Sequence, residues 1–323
     1  MRSIAKWVLI AAILLLVLVG ANFVYGWTAP GPSTREVTVV IKPGSSITLA
    51  AETLENDKVI KSAQAFVNRA KIFGATSTIK AGEFRIPAGA SNSEILNILT
   101  GGKAVQRLVT VVEGMPSVMV YERLMANKKL TGSIPVPAEG SVLPDSYSFE
   151  LNEPRAAVLR RMQNAMKKAL AESWAKRSKD IVVKTPEEAV ILAAIVEKET
   201  SKPSERRMVA GVYSNRIRMG MMLQADPTII YPITKGKPLG RRIRQSEIAD
   251  VNDYNTYAMV GLPKGPIANP SRASIEAVLN PEKTDALYFV ADGTGGHVFA
   301  DTLEQHNANV EKWYAIRRER GEM

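Results

Sequence analysis

Two glutamates, Glu197 and Glu199, close an almost wholly apolar run, AVILAAIVEKET, and are the residues of this chain best suited to acid–base chemistry. The chain has no cysteine and only two histidines, His297 and His306. Thiol nucleophiles and disulfides are therefore excluded, a histidine-rich zinc site is unsupported, and carboxylates remain. A carboxyl group withdrawn from water has a raised pKa, because desolvation penalises the anion, and can then donate a proton near neutrality. Helical periodicity aligns Glu199 with Ile195 and Leu192, and Glu197 with Ala194, Ala193 and Val190. Both stand above apolar rows, so spacing does not choose between them. The plainer alternative is a pair of ordinary glutamates frayed into solvent, although a helix C-terminus is electrostatically poor for an anion.

Polar residues cluster downstream in Gly- and Pro-rich loops: Asn215-Arg216, then Gln224, Asp226 and Thr228, then Tyr254, Asn255 and Tyr257, then GLP at 261–263. Neutral hydrogen-bonding groups interleaved with aromatic rings suit sugar hydroxyls and N-acetyl groups, while each cluster alone could equally be a turn or a structural network. The sequence has no Walker loop, no G-x-G-x-x-G after a strand, no HExxH and no G-x-S-x-G. Neither a cofactor nor a metal is expected.

The elements that must position these residues are legible in part. Thr185, Pro186 and Glu188 predict a helix start with a capping box, and the helix should stop before Pro203. A second helix is predicted over 204–219, with Met208, Val209, Val212, Tyr213 and Ile217 on its buried face and Gly220 ending it. Val158, Leu159, Met162, Met166, Leu170 and Trp174 stripe a long basic helix, most simply as core packing. ALYFVA at 286–291 reads as a strand, and the glycines between Asp292 and His297 as a tight hairpin.

Residues 36–103 read as a small α+β unit. EVTVVI is a strand and Pro43-Gly44 a turn. Residues 47–54 are helical, and a second helical stripe runs from Val59 to Ala70. Glu83 to Ile86 is a short strand, and a Ser91/Glu94 capping box opens a helix ended by Gly101-Gly102. Residues 28–35 (TAPGPSTR) read as an extended, solvated linker.

Ahead of that linker, residues 7–27 carry no charge and follow Arg2 and Lys6. At ~1.5 Å per residue the run can cross a ~30 Å hydrocarbon core, with Trp7, Tyr25 and Trp27 near the interfaces. The charge asymmetry places the N-terminus in the cytoplasm and exports the remainder. The rival reading, a cleaved signal peptide, lacks a clean small-residue cleavage site. The formal charge of +10 favours anionic partners, but export removes nucleic acid, and no aromatic platform is interleaved with the basic residues.

The runs AAIVEKET, SNRIRMGMMLQADPTIIY, YNTYAMVGLPKGPIANP and ALYFVADGTGGHVF resemble the MltG/YceG family of endolytic murein transglycosylases. The resemblance covers essentially the whole chain and is densest over residues 185–310. It implies an α+β protein: a cytoplasmic N-terminus and transmembrane anchor (1–27), a linker (28–35), a LysM-like module (36–103) and a mixed α/β catalytic domain (104–323) with a helix-borne Glu. It implies a single-pass inner-membrane protein whose catalytic domain is periplasmic. It also implies cleavage of the MurNAc-β-1,4-GlcNAc bond of peptidoglycan glycan strands with 1,6-anhydro ends, terminating nascent strands beside peptidoglycan synthases. In lytic transglycosylases the acid is a helical Glu followed by Ser. Laid on IVEKET, that pattern selects Glu199-Thr200, with Gln224, Asp226, Thr228, Tyr254, Asn255 and Tyr257 as groove candidates. A water-using muramidase and a non-catalytic wall-binding scaffold are the competing readings.

Overall fold

In the computed structural model the described residues are 2–322 apart from 43, 74–77, 103, 104 and 106. The expected boundary between residues 103 and 104 lies outside them, as does Pro43 of the predicted turn. The chain is mixed α+β and divides into two units, Met1–Arg107 and Leu108–Met323.

The first unit begins with α1 (Arg2–Thr28), whose segment Lys6–Thr28 reaches a mean hydropathy of 2.7 and is long and apolar enough to cross a membrane. β1 (Val37–Ile41), α2 (Ile47–Asn56), α3 (Ala63–Phe73), β2 (Gly82–Ile86) and α4 (Asn92–Gly101) follow. β1 and β2 pair antiparallel with Val39 opposite Phe84. Alternation turns Val39, Ile41, Phe84 and Ile86 inward, where they meet Leu54, Phe66, Ile95 and Leu99 in one buried core. The predicted capping box of α4 is present: Glu94 N donates to Ser91 Oγ, and Ser91 N donates back to Glu94 Oε2.

Three details differ from expectation. The stripe predicted from Val59 becomes helical only at Ala63, where the Glu55 carboxylate accepts from Ala63 N; Val59 and Ile60 are buried in the preceding turn. Residues 28–35 are not a free linker, since Gly31 N donates to Gly89 O and Gly89 N to Ser33 O. Trp27, expected at a membrane interface, is buried in the core of this unit against Phe66.

β3 (Arg107–Thr110) leads into the second unit and pairs with β4 (Ser146–Phe149). Between them lies α5 (Ser117–Ala126); after them come α6 (Arg155–Ala175), α7 (Pro186–Glu199), α8 (Arg206–Arg218), α9 (Asp226–Thr234), α10 (Gln245–Ile248) and α11 (Arg272–Leu279). The hairpin β5 (Tyr288–Ala291) and β6 (His297–Ala300) and the helix α12 (Leu303–Glu319) complete the chain. Among the described residues the strands pair two by two and form no central sheet. The centre is held by α7, whose residues Leu192 to Val196 are all fully buried. A helix apolar on every face must be surrounded, and α6, α8 and α11 pack around it.

Candidate active site

α7 starts where its sequence says it should. Glu188 N donates to Thr185 Oγ1 at 3.2 Å, and Pro186 occupies the first turn. The reciprocal half of the capping box is displaced by one residue, because the Glu188 carboxylate accepts from Lys184 N. At the other end the backbone turns extended at Thr200, ahead of Pro203, so Glu199 is the last helical residue.

The two glutamates left open by periodicity have opposite surroundings. Glu197 is saturated: Oε2 accepts from Ser271 N at 2.8 Å and Ser271 Oγ at 2.5 Å, and Oε1 lies 3.3 Å from Arg206 Nη2. Its side chain is only 4% exposed. Glu199 is partly exposed as a residue, yet its Oε1 is sheltered from solvent and has no hydrogen-bond partner among the described residues. Burial of this carboxyl pushes its pKa up to about 7; the Tyr213 hydroxyl and the Arg216 charge pull it down, and the Asp226 charge raises it further.

Tyr213 and Arg216 both come from α8, three residues apart and hence on one face. Tyr213 is fully buried, and that burial together with the neighbouring Glu199 charge holds its hydroxyl protonated far above neutrality. Arg216 is anchored by backbone carbonyls: Nε donates to Leu287 O at 2.6 Å and Nη1 to Leu223 O at 2.9 Å. Its guanidinium is thus a fixed positive charge that cannot reorganise freely.

Glu199 stands where two cavities meet. One, of about 540 Å³, is lined by Tyr213, Arg216, Gln224, Asp226, Tyr257 and Trp313 among others. The second, of about 360 Å³, runs past Ser201, His297, Trp313 and Arg320. Glu199 and Trp313 border both. The hairpin is tied to the end of α7 by Glu205, whose Oε2 accepts from Thr200 Oγ1 at 3.0 Å and lies 2.8 Å from His297 Nδ1. Among the described residues, no three His, Asp or Glu side chains are grouped as a metal site requires.

A family model described as YceG-like matches residues 39–312. The chain belongs to the YceG-like family. It is 29% identical to an endolytic murein transglycosylase of Bacillus subtilis (strain 168), over 94% of this chain and 93% of that protein. It is also 29% identical to an endolytic murein transglycosylase of Streptococcus pneumoniae (strain D39), over 86% of this chain and 58% of that longer protein. A crystal structure of a yceG-like protein from Listeria monocytogenes superposes with a TM-score of 0.54 at 27% identity, covering 85% of this chain and 99% of that one.

Within this YceG-like chain the predicted groove residues fall into two groups. Gln224, Asp226 and Tyr257 line the larger cavity beside Glu199, with Tyr257 OH donating to Asp226 Oδ1 at 2.6 Å. Thr228, Tyr254 and Asn255 do not line it. Thr228 and Asn255 are fully buried and hold the first group in place. Thr228 Oγ1 lies 2.9 Å from Thr256 Oγ1, which accepts from Ala225 N, while Gln224 N donates to Thr256 O. That clamp keeps Gln224 at φ +54, a left-handed conformation uncommon for a residue with a side chain. Asn255 Oδ1 accepts from Tyr257 N at 2.9 Å, and its amide donates to Ile248 O and Asp250 O. The Tyr254 ring packs against Tyr231 at 4.9 Å.

Sequence reasoning treated Tyr213 as core and passed over Trp313, which follows the last residue matched by the family model. The signal for α12 was there: Gln305 N donates to Thr302 Oγ1, a T-x-x-Q helix start. Nothing in its spacing tied Trp313 to a glutamate more than a hundred residues earlier.

Proposed function

We propose that this chain is an endolytic lytic transglycosylase that cleaves the MurNAc-β-1,4-GlcNAc bond of peptidoglycan and leaves 1,6-anhydro-MurNAc ends. The observation that carries the reading is Glu199: a carboxyl with one oxygen buried and unpartnered, at the junction of two cavities, in a family whose relatives bear that activity in their names. Glu199 is the acid and then the base. Its proton passes to the glycosidic oxygen as the bond from that oxygen to C1 of the muramyl sugar breaks. The carboxylate so formed accepts the proton of the same sugar's C6 hydroxyl, whose oxygen closes onto C1. The proton balance returns to its start, and no water is consumed. Because the nucleophile belongs to the substrate, its effective concentration is high, and a second carboxylate to activate water is unnecessary.

The surroundings suit both halves of that cycle. A pKa of about 7 lets the acid be populated near neutrality. Arg216, held by backbone carbonyls, steadies the anion when it forms. Gln224, Asp226 and Tyr257 offer hydrogen bonds along the larger cavity, and Trp313 offers an aromatic face to a sugar ring.

On this reading α1 is a single-pass inner-membrane anchor with a cytoplasmic N-terminus, residues 36–103 are a LysM-like glycan-binding module, and residues 104–323 are the periplasmic catalytic domain. Peptidoglycan synthases are the expected neighbours. The test is product analysis: the purified full chain is incubated with isolated murein, and soluble products are resolved by mass spectrometry. Anhydro ends that disappear with Glu199→Gln are the expected result. Reducing ends alone would identify a muramidase instead, and binding without soluble product would identify a scaffold.

A further inference from the structure

We infer that the tip of α3 is a second membrane contact: Ile72 and Phe73 enter the interfacial layer of the bilayer that α1 spans. The inference rests on reading α1 as a membrane span, and it concerns the first unit alone.

Contacts between α1 and α3 give the depth and the direction. The Phe73 ring lies 5.6 Å from that of Phe23 and stacks on Trp27 at 5.4 Å with an interplanar angle of 17°. Trp27 also meets Phe66, at 5.9 Å. Going up α1 by one turn, from Phe23 to Trp27, the partner on α3 thus shifts from Phe73 back towards Phe66. Only Phe73 reaches the lower ring, Phe23, so the C-terminal end of α3 is the end nearer the bilayer.

The charge-free stretch begins after Lys6, and a ~30 Å hydrocarbon core needs about 20 residues, which places its outer boundary near Gly26. Phe23 is then about one turn below that boundary, and Phe73 is level with it. Two cations stand near this level, Arg69 and the exposed Lys71 in the last turn of α3, and Arg69 behaves as an interfacial residue does. Arg69 Nε donates to Phe23 O at 3.2 Å, its guanidinium lies 5.4 Å from the Phe23 ring, and its stem can carry the charge up to the headgroups. On the same side, Asn92 Nδ2 donates to Gly26 O at 2.9 Å, fastening α4 to the helix as well.

Beside the exposed Lys71, whose stem can carry its charge to the headgroups, the packing leaves two apolar side chains uncovered. Ile72 is 69% exposed and Phe73 41%. Single exposed apolar residues are ordinary, but these two are adjacent, lie at the tip, and sit at the depth where lipid begins. Lipid is the occupant that this depth supplies. Two contacts with one bilayer, α1 through it and the tip of α3 on it, hold the small unit in one orientation about the α1 axis.

The absence of cysteine makes the experiment direct, since any introduced cysteine is a unique labelling point. Full-length Ile72→Cys, Lys61→Cys and Leu14→Cys variants are labelled with an environment-sensitive fluorophore and reconstituted into phosphatidylcholine–phosphatidylglycerol vesicles. Lipids with a nitroxide near the headgroup should quench the label at position 72 and shift its emission to the blue. The label at position 61, before the upper end of α3, should respond to aqueous iodide, and that at position 14 to nitroxides deep in the chains. A label at position 72 that iodide quenches as fully as the one at position 61, while position 14 remains in lipid, overturns this contact and leaves the anchor standing. Iodide quenching at position 14 overturns both.

Discussion

Glu197 and Glu199 lie two residues apart on one helix, and Ser271 separates their roles: it donates twice to Glu197 and leaves Glu199 Oε1 without a partner. A buried carboxylate that accepts several hydrogen bonds and an ion pair is part of the frame. A carboxyl without them is free to exchange a proton. The choice that periodicity could not make is therefore a matter of which glutamate the rest of the fold satisfies.

Glu199→Gln should lower turnover of murein by about 10²–10⁴-fold, the usual contribution of a positioned general acid. Circular dichroism should be unchanged. Full retention of anhydro product by this variant would remove Glu199 from the chemistry.

Glu197→Ala should act on stability instead. It strips Ser271 and Arg206 of their shared partner, and lost hydrogen bonds to a buried charge should cost about 2 kcal/mol or more. A lower denaturation midpoint with activity per folded molecule largely kept is the expected pattern, read by chemical denaturation alongside product release.

The pH dependence has a definite sign. Glu199 must begin the cycle protonated, so activity should fall as pH rises through about 7. Stability follows the same group. Its folded pKa is raised from 4.5, so the stability it confers is fully present below about 4.5 and is lost as pH climbs to about 7. Glu199→Gln has no such loss. Between pH 4 and pH 8 it should gain on the unmutated protein by on the order of 3 kcal/mol, because each tenfold change in proton affinity is worth about 1.36 kcal/mol. Parallel denaturation curves at the two pH values would refute the raised pKa.

Trp313→Ala should raise KM by up to about tenfold with a smaller change in kcat, as expected when an aromatic face worth ~0.5–1.5 kcal/mol is lost. Equal loss in both parameters would mean that the ring shapes Glu199 and not the sugar.

Thr256→Val tests the clamp. The variant removes the hydroxyl that accepts from Ala225 N and meets Thr228, so Gln224 should relax from its left-handed conformation. Both the thermal midpoint and kcat/KM should fall, and restoring a hydroxyl with Thr256→Ser should recover most of each.

How far the sequence could lead depended on whether a signal was local. The capping box of α4, the Thr185 cap of α7, the end of α7 before Pro203 and the hairpin around Asp292 are written in adjacent residues, and they stand where the sequence places them, only the reciprocal half of the α7 box being displaced. The start of α3 was misplaced because Val59 and Ile60 satisfy a helical stripe while the cap that fixes the boundary comes from Glu55. Trp27 read as an interfacial ring because its partners Phe66 and Phe73 are distant in sequence. The same limit hid Tyr213 and Trp313, which reach Glu199 only through the packing of α8 and α12. It also merged two kinds of polar loop residue, those that face the cavity and those, such as Asn255, spent on backbone.

The cavity beside Glu199 has one wall of an unusual kind. No residue of α12 is fully buried, and the helix rests on a two-stranded hairpin. Swinging it outward would uncover far less apolar surface than moving α6, α8 or α11, whose side chains interlock with α7. Of the walls around Glu199, this is the one whose position costs the fold least to change.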